Sequence, residues 1–259
     1  MKVCDHDPAI EVLDFATDDG LGARARIGLV VLQTDRTLEH EVGQLIRAAH
    51  GVAVFHTRIP NATEVTPATL REMEMALPRA AELLPAEFQF SAVGYGCTSG
   101  ATLIGEARVD QILKRVHPHA HTSNPITACK AALTALGVTR IALLTPYAPS
   151  VTLAMQENLR SSGFTVRALG TFNEADDLTV ARISSESIRQ AILRLGARDD
   201  CDGIFVACTS LRALPVIASA EAELGKPVVS SNQALAWHLL RQAGIDSQRN
   251  DMGQLFAIA

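Results

Sequence analysis

Short apolar runs alternate with amphipathic stretches along most of the chain. The runs are residues 26–32 (RIGLVVL), 52–56, 90–95, 140–146 (RIALLTP), 164–169, 203–207 and 227–229. They are short, rich in Val, Ile and Leu, and without strict polar alternation. That pattern predicts strands covered on both faces, as in a parallel sheet. Between them the apolar spacing becomes helical. Helices are predicted over residues 37–50, 101–116, 150–162, 184–195 and 211–224. Thr66 followed by Pro67 predicts a capped helix start, and Pro78 is expected to break or kink that helix. Ser123 or Asn124 caps a helix that ends at Gly137, and a last helix follows Asn232. Strand–helix alternation predicts βαβ units with right-handed crossovers.

The pattern starts twice. RIGLVVL (26–32) matches RIALLTP (140–146), Cys97-Thr98-Ser99 matches Cys208-Thr209-Ser210, and Ser123-Asn124 matches Ser231-Asn232. The matches come in the same order at nearly constant separation. The expected architecture is α/β: two similar Rossmann-like lobes with parallel sheets, related by a pseudo-twofold axis. Residues 1–122 with 230–259 should form the first lobe, residues 1–25 being an extension of it, and residues 123–229 the second. Open parallel sheets bind ligands at the carboxyl ends of their strands. Each Cys-Thr-Ser sits at such an end, so the two cysteines should face one cleft between the lobes.

A thiol at a strand–turn–helix junction lies near free amide groups and the positive end of a helix dipole, both of which favour thiolate. The neighbouring hydroxyls and amides can hold a carboxylate or an oxyanion. Two thiols can move protons on opposite faces of one carbon, which racemises without a cofactor. Alternatively, one thiolate can add to a double bond, allow rotation and leave. Cys4, Cys129 and Cys201 lack this setting and are expected to be structural.

The remaining composition narrows the class. The chain has 259 residues, 47% apolar and 4% aromatic, so its core is aliphatic. A net charge of −5 without a basic stripe argues against nucleic acid. No apolar run approaches a membrane span and the N-terminus has no apolar leader, which predicts a cytoplasmic protein. Five scattered cysteines do not suggest a disulfide framework. His117, His119 and His121 alternate, but no acid or cysteine cluster joins them, and no metal site is expected. Arg58, after a strand, reads as a surface arginine that could clamp a carboxylate. Trp237 is assigned to packing. No phosphate-binding glycine loop follows a strand, and none of the four lysines suits a Schiff base.

GCTSG (96–100) with ACTSL (207–211), RIALLTPY (140–147) and FNEADDLTVARI (172–183) resemble the aspartate/glutamate racemase superfamily. Within it they look like the maleate isomerase and arylmalonate decarboxylase branch. VVLQTDRTLEHE (30–41) is most similar to its ectoine-utilisation protein A group. The resemblance implies two Rossmann-like lobes, no metal and no organic cofactor. It makes Cys97 and Cys208 the catalytic thiols and brings Tyr147 to the site. Where the isomerase pattern has two asparagines, this chain has Asp35 and Asp177. Ionised aspartate only accepts hydrogen bonds, so the pair suits a substrate bearing an ammonium or amide N–H. The reading is a racemase or epimerase of a small nitrogen-bearing carboxylate, an amino acid or an ectoine-derived compound. Asp35, Thr98, Ser99, Tyr147, Asp177, Thr209 and Ser210 would bind it. The alternatives are maleate-type cis–trans isomerisation through a Cys97 adduct and, in another class, a non-catalytic small-molecule binding protein. Malonate decarboxylation fits less well, since the resemblance implies one thiol for it. The expected partner is a small carboxylate, with no nucleic acid or membrane, and self-association is left open.

Overall fold

The protein, seen in a computed structural model, is described over residues 10–64 and 66–258. The strands of these residues form two four-stranded parallel sheets. The first contains β1 (Ala25–Leu32), β2 (Val52–Ile59), β3 (Ala92–Gly96) and β4 (His121–Ser123), in the order β2-β1-β3-β4. The second contains β5 (Arg140–Thr145), β6 (Thr165–Thr171), β7 (Gly203–Val206) and β8 (Val228–Ser230), in the order β6-β5-β7-β8. The second order is the first shifted by four strands, so the sequence duplication is a duplication of topology. β3 and β7 are buried at every residue, as their unbroken apolar runs require. Edge strand β6 alternates between exposed and partly buried positions, so only one face is covered.

Helices cover the sheets. α1 (Leu38–Ile46), α2 (Pro67–Glu82), α3 (Thr98–Ile104), α4 (Glu106–Val116) and α5 (Pro125–Ala135) belong to the first half. α6 (Pro149–Ser161), α7 (Asp177–Val180), α8 (Ser185–Gly196), α9 (Leu214–Leu224), α10 (Ser231–Gln242) and α11 (Gln254–Ala257) follow. Helix α10 leaves the second sheet and packs back on β3, β4, α1 and α5, which ties the two halves together. No helix of the described residues is long and apolar enough to cross a membrane.

Among the differences from the predicted elements, three have a clear local reason. Pro78 lies inside α2 without ending it. Leu70, Met73, Leu77, Ala80 and Ala81, on both sides of it, are buried, and this packing outweighs the missing amide donor. The single helix expected over residues 101–116 is two helices meeting at Gly105, whose φ of +95° an α-helix cannot continue. Helix α9 starts at Leu214 rather than at residue 211. Residues 207–213 therefore form an irregular loop beyond β7, and Cys208 lies in it.

Candidate active site

The two Cys-Thr-Ser segments end β3 and β7, the equivalent strands of the two sheets, but they are built differently. Cys97 is the N-cap of α3, and its Sγ accepts the Gly100 amide at 3.2 Å. Ser99 Oγ lies 3.7 Å from the same sulfur. Gly100 is required by this close turn. A Cβ there would lie 2.6 Å from Tyr95 Oη and 3.0 Å from both Cys97 Sγ and Met73 Cε. Cys208 adopts φ +115°, a conformation that non-glycine residues avoid and that neighbouring contacts must enforce. One such contact comes from Ser231, the first residue of α10. Its Oγ accepts the Cys208 amide at 3.0 Å and pairs with Thr98 Oγ1 at 2.7 Å. A single serine thus joins the backbone of the second thiol to the first turn of the helix that follows the first.

Both cysteines line one cleft of about 380 Å³, open mouth included. Ser99, Tyr147, Asp177, Thr209 and Ser210 line it too. Thr98 does not, because its hydroxyl is turned to Ser231. Asp35 is not at the cleft surface either. Its Oδ1 accepts the Thr37 and Leu38 amides, both at 2.8 Å, at the start of α1. It lies in the wall, beside Thr209, and its Oδ2 has no hydrogen-bond partner among the described residues.

Of Asp35 and Asp177, the second reaches the cleft, and it opens α7 instead of lying in a loop. Its Oδ1 accepts Ser210 Oγ at 2.7 Å and its Oδ2 accepts Thr34 Oγ1. Asn61 completes the chain, donating through Nδ2 to Thr34 Oγ1 at 2.8 Å and accepting the Thr34 amide through Oδ1. The Asp177 amide donates to Thr63 O at 3.0 Å, and Glu64 forms an antiparallel bridge with Asp176. The β2–α2 loop of one lobe is thereby fastened to α7 of the other. Thr34, Asn61, Glu64 and Ser231 are contributions that sequence reasoning missed. Only Ser231 left a trace, as an anchor of the duplication.

Burial dominates the electrostatics. It pushes the Cys97 thiol up to about 11, against the lowering effect of the Gly100 amide and the Ser99 hydroxyl. Burial raises Cys208 further, and the Asp177 carboxylate adds to the rise at both sulfurs. The Tyr147 hydroxyl, beside Cys208 and Ser99, is also raised by burial. The expected thiolate-favouring setting is present at Cys97 as a helix N-terminus, but desolvation overrides it. The thiols therefore differ, with Cys97 the easier to ionise. The described residues that line the cleft include the acids Glu64 and Asp177 and no Lys, Arg or His.

The other candidates lie elsewhere. Arg58 donates to Leu32 O and Asp35 O, both at 2.8 Å, and pairs with Glu39. His117 is buried, with Nε2 3.1 Å from Ala81 O. Cys129 and Cys201 are buried outside the cleft, and Cys4 lies outside the described residues.

The sequence pattern of the family described as arylmalonate decarboxylase matches residues 105–256. The chain belongs to the arylmalonate decarboxylase family. The matched segment holds Cys208 and stops short of Cys97. Arylmalonate decarboxylase of Bordetella bronchiseptica is 37% identical over 138 residues, covering 50% of this chain and 55% of that one. Maleate isomerase of Alcaligenes faecalis is 23% identical but spans 90% of this chain and 96% of its own. Among solved structures, the maleate cis–trans isomerase of Nocardia farcinica, a cysteine-to-serine variant with a covalently bound succinylcysteine intermediate, superposes with a TM-score of 0.84. It is 26% identical and covers 90% of this chain and 98% of its own. The family and this superposition give the α/β fold of two four-stranded parallel sheets.

Proposed function

We propose that this member of the arylmalonate decarboxylase family is a cofactor-independent isomerase that racemises or epimerises a small nitrogen-bearing carboxylate with Cys97 and Cys208. The acidic lining of the cleft carries the reading. A carboxylate oxygen holds two lone pairs, so Asp177 can accept a substrate N–H while keeping Thr34 and Ser210. The substrate carboxylate then falls to the Ser99 hydroxyl, to Thr209, whose Oγ1 makes only a 3.4 Å contact with Gly96 O, and to nearby amides. In the forward turnover the Cys97 thiolate takes the α-proton, and the electron pair moves onto the carboxylate as an enolate. The Cys208 thiol returns a proton to the other face and is left as thiolate. The reverse turnover exchanges the roles, so protons balance. The resemblance of residues 30–41 to the ectoine-utilisation protein A group makes ectoine-derived acids the first compounds to try.

A second reading is favoured by the unequal thiols and by the maleate isomerases that match along nearly the whole chain. Here the Cys97 thiolate adds to a cis double bond and Cys208 protonates the adjoining carbon. Rotation and the reverse steps release the trans acid. The two readings separate in D₂O. With nitrogen-bearing acids, NMR should show deuterium entering the α-position, and Cys97→Ser and Cys208→Ser should each abolish inversion. Efficient conversion of maleate with no α-exchange on any nitrogen-bearing acid overturns the first reading in favour of the second.

A further inference from the structure

One carboxylate of α1 faces inward, and the chemistry above does not use it. Glu41 is 2% exposed. Its Oε1 accepts the Leu214 amide at 3.0 Å, and its Oε2 accepts Asn232 Nδ2 at 2.8 Å. Leu214 is the first residue of α9, where the loop carrying Cys208 ends. Asn232 lies in α10, and its Nδ2 also donates to Thr209 O at 2.9 Å. Thr37, beside the start of α1, donates through Oγ1 to Ser210 O at 2.9 Å. The β7–α9 loop is thus held along its length by the first-lobe helix, partly through Asn232. It has no ladder of its own, and its Cys208 sits at a φ that only surrounding contacts can maintain.

We infer that Glu41 is a positioning residue for Cys208, its ionised carboxylate fixing the β7–α9 loop in the cleft through Leu214 and Asn232. The inference rests on reading Cys208 as a reacting thiol. Two donors meet the Glu41 carboxylate, and the ionised form accepts from both. The protonated form keeps acceptor capacity but adds a buried O–H that needs an acceptor of its own. Asn232 Oδ1 has no partner and is the natural acceptor for that O–H. Turning it toward Glu41 withdraws Nδ2 from Thr209, and the loop is released. Burial raises Glu41 to about 7, while Asn232 and the Leu214 amide lower it. The charged groups facing it are Asp35, before α1, which raises it, and Arg212, in the β7–α9 loop, which lowers it. Helix α10 presents the neutral Asn232. The loop is therefore held above about pH 7 and loosened below.

Hydrogen–deuterium exchange tests this without substrate, so a failed activity screen and a failed inference are distinguishable. After correction for intrinsic rates, the wild-type peptide 207–214 should gain at least about fivefold protection between pH 6 and pH 8, the worth of one hydrogen bond. The peptide 94–100 across the cleft should stay constant. Glu41→Gln cannot ionise and should hold 207–214 at its low-pH protection throughout. Flat wild-type protection over this range overturns the inference, as does a Glu41→Gln loop protected like wild type at pH 8. If Glu41→Gln does not fold, the wild-type series decides alone.

Discussion

At the scale of single residues, Asp177 and Ser231 shape the two thiols, one through charge and the other through geometry. Asp177 raises both sulfurs, so Asp177→Asn should lower both. Iodoacetamide labelling read by mass spectrometry should show wild-type Cys97 reacting slowly at neutral pH, with a midpoint near 11, and both thiols reacting faster in the variant. At fixed pH the rate should rise in proportion to the thiolate fraction, about tenfold for every 1.4 kcal/mol by which the thiolate is favoured. Unchanged labelling of both thiols would remove Asp177 from the electrostatic account. Ser231→Ala deletes the acceptor of the buried Cys208 amide and the partner of Thr98. An orphaned buried donor costs about 1–3 kcal/mol, measurable as lost stability in urea. Neither residue announces its role in sequence, since Asp177 looks like a loop acid and Ser231 like an ordinary helix-start serine.

At the scale of elements, the first turn of α3 and the break at Gly105 are comparable tests with unequal outcomes. Gly100→Ala pushes a methyl against Tyr95 Oη, Cys97 Sγ and Met73 Cε. Overpacking of this kind costs about 1–3 kcal/mol, and because the sulfur itself must move, turnover should fall with stability. Gly105→Ala meets nothing within 4 Å, and its cost is that of a backbone conformation foreign to non-glycine residues, about 1–3 kcal/mol. Thermal melts should show both losses, but only Gly100→Ala should lose activity beyond what its melting point explains. Equal activity losses in the two variants would mean that the turn around Cys97 is not specially constrained. Strand and helix order was legible because unbroken apolar runs alternate with stretches of helical spacing. The boundaries that moved did so where packing outweighed a single residue, as around Pro78, or where backbone conformation at one glycine split a continuous pattern, as at Gly105.

At the scale of the whole molecule, buried Glu41 ties stability to pH. Its folded value of about 7 lies above the ordinary 4.5, so the folded state binds the proton more tightly. This contribution belongs to burial of the whole group against the unfolded chain. It is complete below about pH 4.5 and is lost as pH rises through about 7, up to about 3 kcal/mol in total, the loop bonds to Asn232 and Leu214 acting against it and being already included in that value. Urea midpoints should fall over that window in wild type and fall less in Glu41→Gln, and parallel slopes would count against this role for Glu41. The buried thiols add a loss of the same sign at higher pH, beginning above their ordinary value of 9.

The sequence by itself determined the repeated βαβ order, the two equivalent Cys-Thr-Ser positions and the aliphatic core, because periodicity and strand-end position are local properties of a chain. It could not place Asp35 in the wall and Asp177 in the cleft, since both read as acids beside a strand and only packing separates them. Nor could it show Ser231, Thr34, Asn61 and Glu41 reaching their partners, as each of these hydrogen bonds joins residues far apart in sequence. The thiols make the same point in electrostatics. A helix N-terminus is visible in the chain and argues for thiolate, whereas desolvation depends on everything packed around the sulfur, and only the tertiary structure decided that it prevails.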